Sequence, residues 1–208
     1  MYQVCQVTMI LQIPFVSTWI CQMTGASIAT PIYPEFNMYD IREPCVEFGL
    51  CYPNNHLDQV LNSEDYRTKM GITDDEHAWE MCASAPHTML MLDMEKQYGW
   101  KLAPLLDDGI PILIYNGDKD YICNWMGGLE WTEALEWTGQ NGYNKADIYS
   151  WETKEGNEGG MTKQYGSLTF LRVFDAGHMV PTDQPESAFS MITEFMETKH
   201  ITGSQIVN

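Results

Sequence analysis

The chain holds 208 residues, 44% of them hydrophobic, with 11 basic against 29 acidic side chains and a net charge of −18 at pH 7. That content suffices for one moderately large domain, or for a core with an appended lobe. A surface this acidic repels phosphate backbones and anionic headgroups, which excludes nucleic acid and membrane surfaces as partners.

Residues 1–34 carry no charged side chain, and Gln12, Pro14, Ser17 and Thr18 interrupt their apolar run. Neither an export signal nor a membrane span is read there. The whole stretch 1–53 is rich in Pro, Gly, Tyr and Cys without a sustained period, so loops are expected. Within it Cys45 and Cys51 close a short loop that reads as a disulfide staple. With six cysteines in the chain, this favours an oxidising compartment. A disulfide-bearing chain without an export signal raises the expectation that sequence precedes Met1.

From 56 to 70, Leu57, Val60 and Leu61 recur at helical spacing, Asn55 stands where a cap belongs, and Gly71 is a stop signal. A second helix is expected around 76–81 and a third over 88–96, with Met89, Met91 and Met94 as core filler. The continuous apolar run 110–115 predicts a buried parallel strand ending at Asn116-Gly117. Thereafter 125–137 predicts a helix, 139–144 a turn, 147–152 a strand, 155–160 a glycine-rich turn and 168–174 a second buried strand. In the last helix Asp183 is the expected cap, Pro185 lies near the first position, and Ala188, Phe189, Met191, Ile192, Phe195 and Met196 form an apolar stripe. Strand, loop and helix twice over predict an α/β fold, with a loop-rich then helical region at 1–100 and a core at 101–208.

Two loops follow the two predicted strands: Gly117-Asp118-Lys119-Asp120-Tyr121-Ile122-Cys123-Asn124-Trp125 and Asp175-Ala176-Gly177-His178-Met179-Val180-Pro181. Side chains on such loops project into the crevice at the carboxyl ends of the strands. A serine hydrolase needs a histidine to take the serine proton and a carboxylate to hold the histidine, in the chain order nucleophile, acid, histidine. Asp120 and His178 are the right types in the right order, but the sequence contains no Gly-x-Ser-x-Gly turn. Cys123 is rejected as a replacement nucleophile, because one short loop would have to present both it and the acid that orients its base. His77, Cys82 and His87 fail as a metal site, since Pro86 breaks their shared face and no fourth ligand is evident.

These loops, together with Asn37-Met38-Tyr39-Asp40-Ile41-Arg42, Cys45, Cys51-Tyr52-Pro53 and Gln184-Pro185-Glu186, resemble the serine carboxypeptidases, most closely the carboxypeptidase Y group. The similarity runs over roughly residues 29–198. It implies the carboxyl-terminal part of an α/β-hydrolase fold with a loop-rich helical insertion, or cap, region. It also implies an enzyme that releases carboxyl-terminal residues from peptides and proteins through an acyl-enzyme, without metal or cofactor, in a vacuole or lysosome or outside the cell. Carried over by position, the resemblance makes Asp120, not Asp118, the triad acid and His178 the base. Ile122 and Cys123 would line the pocket before the scissile bond. Met179, Tyr39 and Tyr52 would border the pocket of the departing residue, Cys45 and Cys51 match a family disulfide, and Cys82 matches a cysteine whose family partner lies in an amino-terminal half. That half, with the serine and oxyanion loop, is the implied missing partner. The rival expectation is a truncated, catalytically inactive family member or binding module.

Overall fold

The computed structural model describes residues 37–45, 51, 55–72, 77–94, 96 and 98–204. Two compact units divide the chain: 1–33 with 46–96, and 34–45 with 97–208.

In the first unit the described elements are α1 (Asn55–Leu61), α2 (Glu64–Lys69) and α3 (Ser84–Met94). The helix expected over 56–70 is thus two. Ser63 breaks it by capping α2, its hydroxyl accepting the Tyr66 N–H at 3.3 Å, and Gly71 ends the segment at φ +70°. The helix expected around 76–81 does not form at 77–81, and residues 73–76 lie outside the described set. Side chains have already taken its backbone groups: the Asn62 amide binds both the N–H (2.6 Å) and the carbonyl (3.0 Å) of Trp79, and Arg67 donates to the His77 carbonyl at 3.0 Å. The helix expected over 88–96 begins earlier, at Ser84. Met89 is 83% exposed, which corrects its reading as core filler, while the side chains of Met91 and Met94 lie outside the described set.

The second unit runs through a 3₁₀ turn at Gly99–Leu102, α4 (Ala103–Asp107), β1 (Ile112–Gly117), α5 (Trp125–Ala134), α6 (Gln140–Lys145), β2 (Ile148–Glu152), β3 (Glu158–Tyr165), β4 (Leu168–Val173), α7 (Val180–Asp183) and α8 (Pro185–Thr198). Its four strands lie in the order β1-β4-β3-β2, with β1 and β4 parallel and the other pairs antiparallel. The apolar run of β4 makes it a central strand buried on both faces. Leu168 and Phe170 enter one cluster with Leu106, Leu135 and Tyr143, whereas Leu171 and Val173 enter another with Trp151, Val180 and Met191.

Three expectations need correction here. The turn expected at 139–144 is instead the helix α6 from Gln140, where Tyr143 is fully buried and its hydroxyl lies 3.1 Å from that of Thr132. Burial of one aromatic overrides the turn signals of Gly139, Asn141 and Gly142. The stripe on α8 divides: Ala188, Met191 and Phe195 pack inward, while Phe189, Ile192 and Met196 are exposed. Asp183 does not cap α8, which starts after Gln184; it belongs to α7 and its carboxylate faces the histidine loop.

Candidate active site

Because β1 and β4 are parallel neighbours, their carboxyl ends lie at one edge of the sheet, and the loops that follow them meet there. The approach is close. A side chain at Gly117 would fall on the carbonyl oxygens of Ala176 and Gly177, so the last position of β1 tolerates only glycine. The Asp118 N–H reaches the Val173 carbonyl and the Lys119 N–H the Ala176 carbonyl, each at 2.9 Å.

Asp120 is buried, with its side chain 3% exposed, and its Oδ2 lies 2.9 Å from Nδ1 of His178. Its other oxygen accepts the Cys123 N–H at 3.1 Å, which fixes the carboxylate plane. An ionised carboxylate only accepts, so Nδ1 carries the proton and Nε2 keeps its lone pair. The His178 side chain is 38% exposed, leaving it within reach of a reacting group. Asp118, two residues earlier, is engaged elsewhere: its Oδ2 meets Lys119 at 3.0 Å and Arg172 at 3.3 Å, and the Arg172 guanidinium stacks over Trp125.

The turn 37–42 holds both loops. Met38 offers its carbonyl to the N–H groups of Tyr121 and Ile122, the Ile41 N–H reaches the Lys119 carbonyl, and the Tyr39 carbonyl accepts the His178 N–H at 2.7 Å. The Tyr39 ring meets the imidazole edge-on, with centroids 5.3 Å apart. Ile122, Cys123 and Met179 are exposed in the two loops. Tyr52 lies outside the described residues. Cys45 and Cys51 form the expected disulfide, whereas Cys82 and Cys123 are free and exposed. Although Cys123 is exposed at the surface, partial desolvation of its thiol against the loop pushes it up from its ordinary value, and the Asp120 charge adds to this.

Sequence reasoning gave no role to Arg42 and a wrong one to Asp183. Arg42 grips Asp40 through Nε and Nη2, donates from Nη1 to the Asp175 carbonyl at 2.9 Å and lies 3.8 Å from Asp183, which in turn accepts the Gly177 N–H at 2.7 Å. The backbone just before His178 is therefore held by charged groups on either side. Their signal is three-dimensional, since Arg42 and Asp175 are 133 residues apart.

The hydrogen bond from Arg42 holds the Asp40 carboxyl below its ordinary range, against the opposing effect of burial. A depressed folded-state value stabilises the fold above the ordinary carboxylate range, and the stabilisation is lost as pH falls through the lowered value. Arg42→Gln is therefore expected to lower Tm at pH 7 by about 2–4 °C, the shift that ~1 kcal/mol gives a domain of this size once solvent screening is allowed for. The difference should narrow as the pH falls below the ordinary carboxylate range and through the lowered Asp40 value; thermal melts followed by circular dichroism from pH 7 down through that range measure it, and a constant gap would refute the assignment.

The fold is that of an α/β-hydrolase. Within that class, the chain belongs to the serine carboxypeptidase family, whose model matches residues 11–198. It is 41% identical over 167 residues to a vacuolar serine-type carboxypeptidase of Saccharomyces cerevisiae, covering 77% of this chain and 32% of that protein. It is 42% identical over 161 residues to carboxypeptidase Y of Candida albicans, covering 77% and 30%. The crystal structure of a prohormone-processing carboxypeptidase from Saccharomyces cerevisiae superposes with a TM-score of 0.65 at 27% identity, over 78% of this chain and 36% of that one. The chain thus spans about a third of the length of these relatives.

Proposed function

We propose that this chain supplies the acid and the base of a serine-type carboxypeptidase that releases carboxyl-terminal residues from peptides. The observation that carries this reading is the 2.9 Å contact between buried Asp120 and half-exposed His178. Nε2 of His178 takes the proton of the attacking serine as the acyl-enzyme forms, then gives it to the departing amine. Asp120 holds the tautomer and stabilises the imidazolium without itself being protonated. Ile122 and Cys123 line the pocket before the scissile bond and Met179 and Tyr39 border the pocket beyond it, a role the resemblance also gives Tyr52, which lies outside the described residues. Residues 1–100 are read as the insertion region and 101–208 as the core, although the turn 37–42 falls within the second compact unit.

The serine and the oxyanion donors come from sequence outside these 208 residues, so the chain alone is inactive. The vacuolar relative supports a vacuolar or secreted location, and no described helix is long and apolar enough to cross a membrane.

A chimaera in which this chain replaces the matching stretch of Candida albicans carboxypeptidase Y tests the reading. It is expected to react with a fluorophosphonate and to release carboxyl-terminal residues, while the 208-residue chain by itself does neither. A folded chimaera that does not label would refute the proposal.

A further inference from the structure

Three ligating side chains of different chemistry converge at the sheet edge: the Asp120 carboxylate, the His178 imidazole and the Cys123 thiol, their ligand atoms all within 4.8 Å of one another. We propose that this cluster binds a borderline-soft divalent cation such as Zn²⁺, and that the ion switches off His178 as a base.

The donor set selects the metal. One sulfur, one nitrogen and one carboxylate oxygen suit zinc, whereas magnesium and calcium require oxygen ligands in larger number. Zinc bond lengths of about 2.0–2.3 Å place tetrahedral ligand atoms roughly 3.3–3.7 Å apart. The Asp120–His178 contact at 2.9 Å is tighter than that, and the span of up to 4.8 Å is about an ångström wider. Binding therefore requires the imidazole to move off the Asp120 carboxylate and the Cys123 side chain to turn towards both. Outer groups already fix the ligands: Asn116 donates to the Cys123 carbonyl at 2.9 Å, Asp120 accepts the Cys123 N–H, and the Tyr39 carbonyl accepts the His178 N–H. Asp120 is buried while Cys123 and the His178 ring are accessible, so one side of the site is open to a fourth ligand, as water.

Charge and protons balance. The thiol releases its proton to solvent, and a carboxylate and a thiolate then neutralise the dication. If Nδ1 binds the metal, its proton moves to Nε2; if Nε2 binds, its lone pair is taken. Either way no ring lone pair remains to receive a serine proton. Metal binding itself is independent of the function proposed above; only the switch rests on it.

Titrating the 208-residue chain with Zn²⁺ against a chromophoric chelator tests the site. A single equivalent bound in the micromolar range or tighter is expected, weakened about 100-fold by Cys123→Ser or by His178→Gln and unchanged by Cys82→Ser. Co²⁺ in place of Zn²⁺ should show a thiolate charge-transfer band that Cys123→Ser abolishes. In the unmutated chain, Zn²⁺ should protect Cys123 but not Cys82 from alkylation, read by peptide mass mapping, a measurement that needs no variant to fold. Absence of binding, binding indifferent to both ligand variants, or no selective protection of Cys123 overturns the proposal. Fluorophosphonate labelling plays no part in these outcomes, so they fail or hold separately from the hydrolase reading.

Discussion

Replacing His178 with glutamine in the chimaera is expected to lower kcat by about 10⁵- to 10⁶-fold, with KM for a peptide substrate changed only a few-fold. The size of the effect follows from the role. A serine hydroxyl is a poor nucleophile until its proton has somewhere to go, and in the proposed mechanism this half-exposed imidazole receives it. Glutamine keeps a donor for the buried Asp120 carboxylate but offers no basic nitrogen. The fold should bear the change well, because the ring is more than a third exposed and its described contacts are the Asp120 carboxylate and the edge of Tyr39. Tm should therefore move by no more than a few degrees while labelling by a fluorophosphonate collapses. A chimaera that retains activity within tenfold after this substitution would remove His178 from the mechanism.

What the sequence disclosed about this arrangement, and what it hid, divides along physical lines. Of the strands bounding the site, β4 was legible as a strand buried on both faces from its apolar run Leu168–Val173, whereas β1, expected to be equally buried, stands at the end of the described strand order, half-buried with Tyr115 exposed. The loops were legible because Gly117 and Gly177 mark backbone approach and each glycine stands beside the polar residues it serves. Strand β3 was not, for its inward positions include Thr162 and Lys163, which look like surface residues. Lys163 is 5% exposed only because Glu133 meets its ammonium at 2.6 Å and Tyr143 lies beneath it. A buried charge is readable only when its partner is known, and Glu133 is 30 residues away on α5. The same reason concealed Arg42 and Asp183. Local rules offered Asp183 a helix cap, a good prior for an aspartate before Pro185, yet the Gly177 N–H claimed the carboxylate first. The position of the acid needed more than local rules, because Asp118 and Asp120 are chemically alike and two residues apart.

Those two aspartates give the sharpest contrast available. Asp120→Asn in the chimaera is expected to reduce kcat by about 10⁴-fold with little change in stability. An asparagine amide turned to donate towards His178 needs a lone pair on Nδ1, which puts the ring proton on Nε2 and presents the serine with a donor where it needs an acceptor. The alternative amide orientation preserves the Nδ1–H bond but removes the charge that stabilises the imidazolium, so either way the barrier rises. Asp118→Asn should behave in the opposite manner. Its side chain is 5% exposed and pairs with both Lys119 and Arg172, so losing the charge leaves Arg172 without its carboxylate at the end of β1 and Lys119 with only Asp175, 3.6 Å away. A Tm decrease of roughly 5–10 °C is expected from breaking such a partly buried cluster, with kcat of the folded fraction within tenfold of the parent. Steady-state kinetics and thermal melts on the two variants, made in the same chimaera, separate the cases. Equal kinetic losses would mean that the carboxylates act as one electrostatic unit. A large loss confined to Asp118→Asn would move the triad acid two residues back along the loop, despite the contact that Asp120 makes.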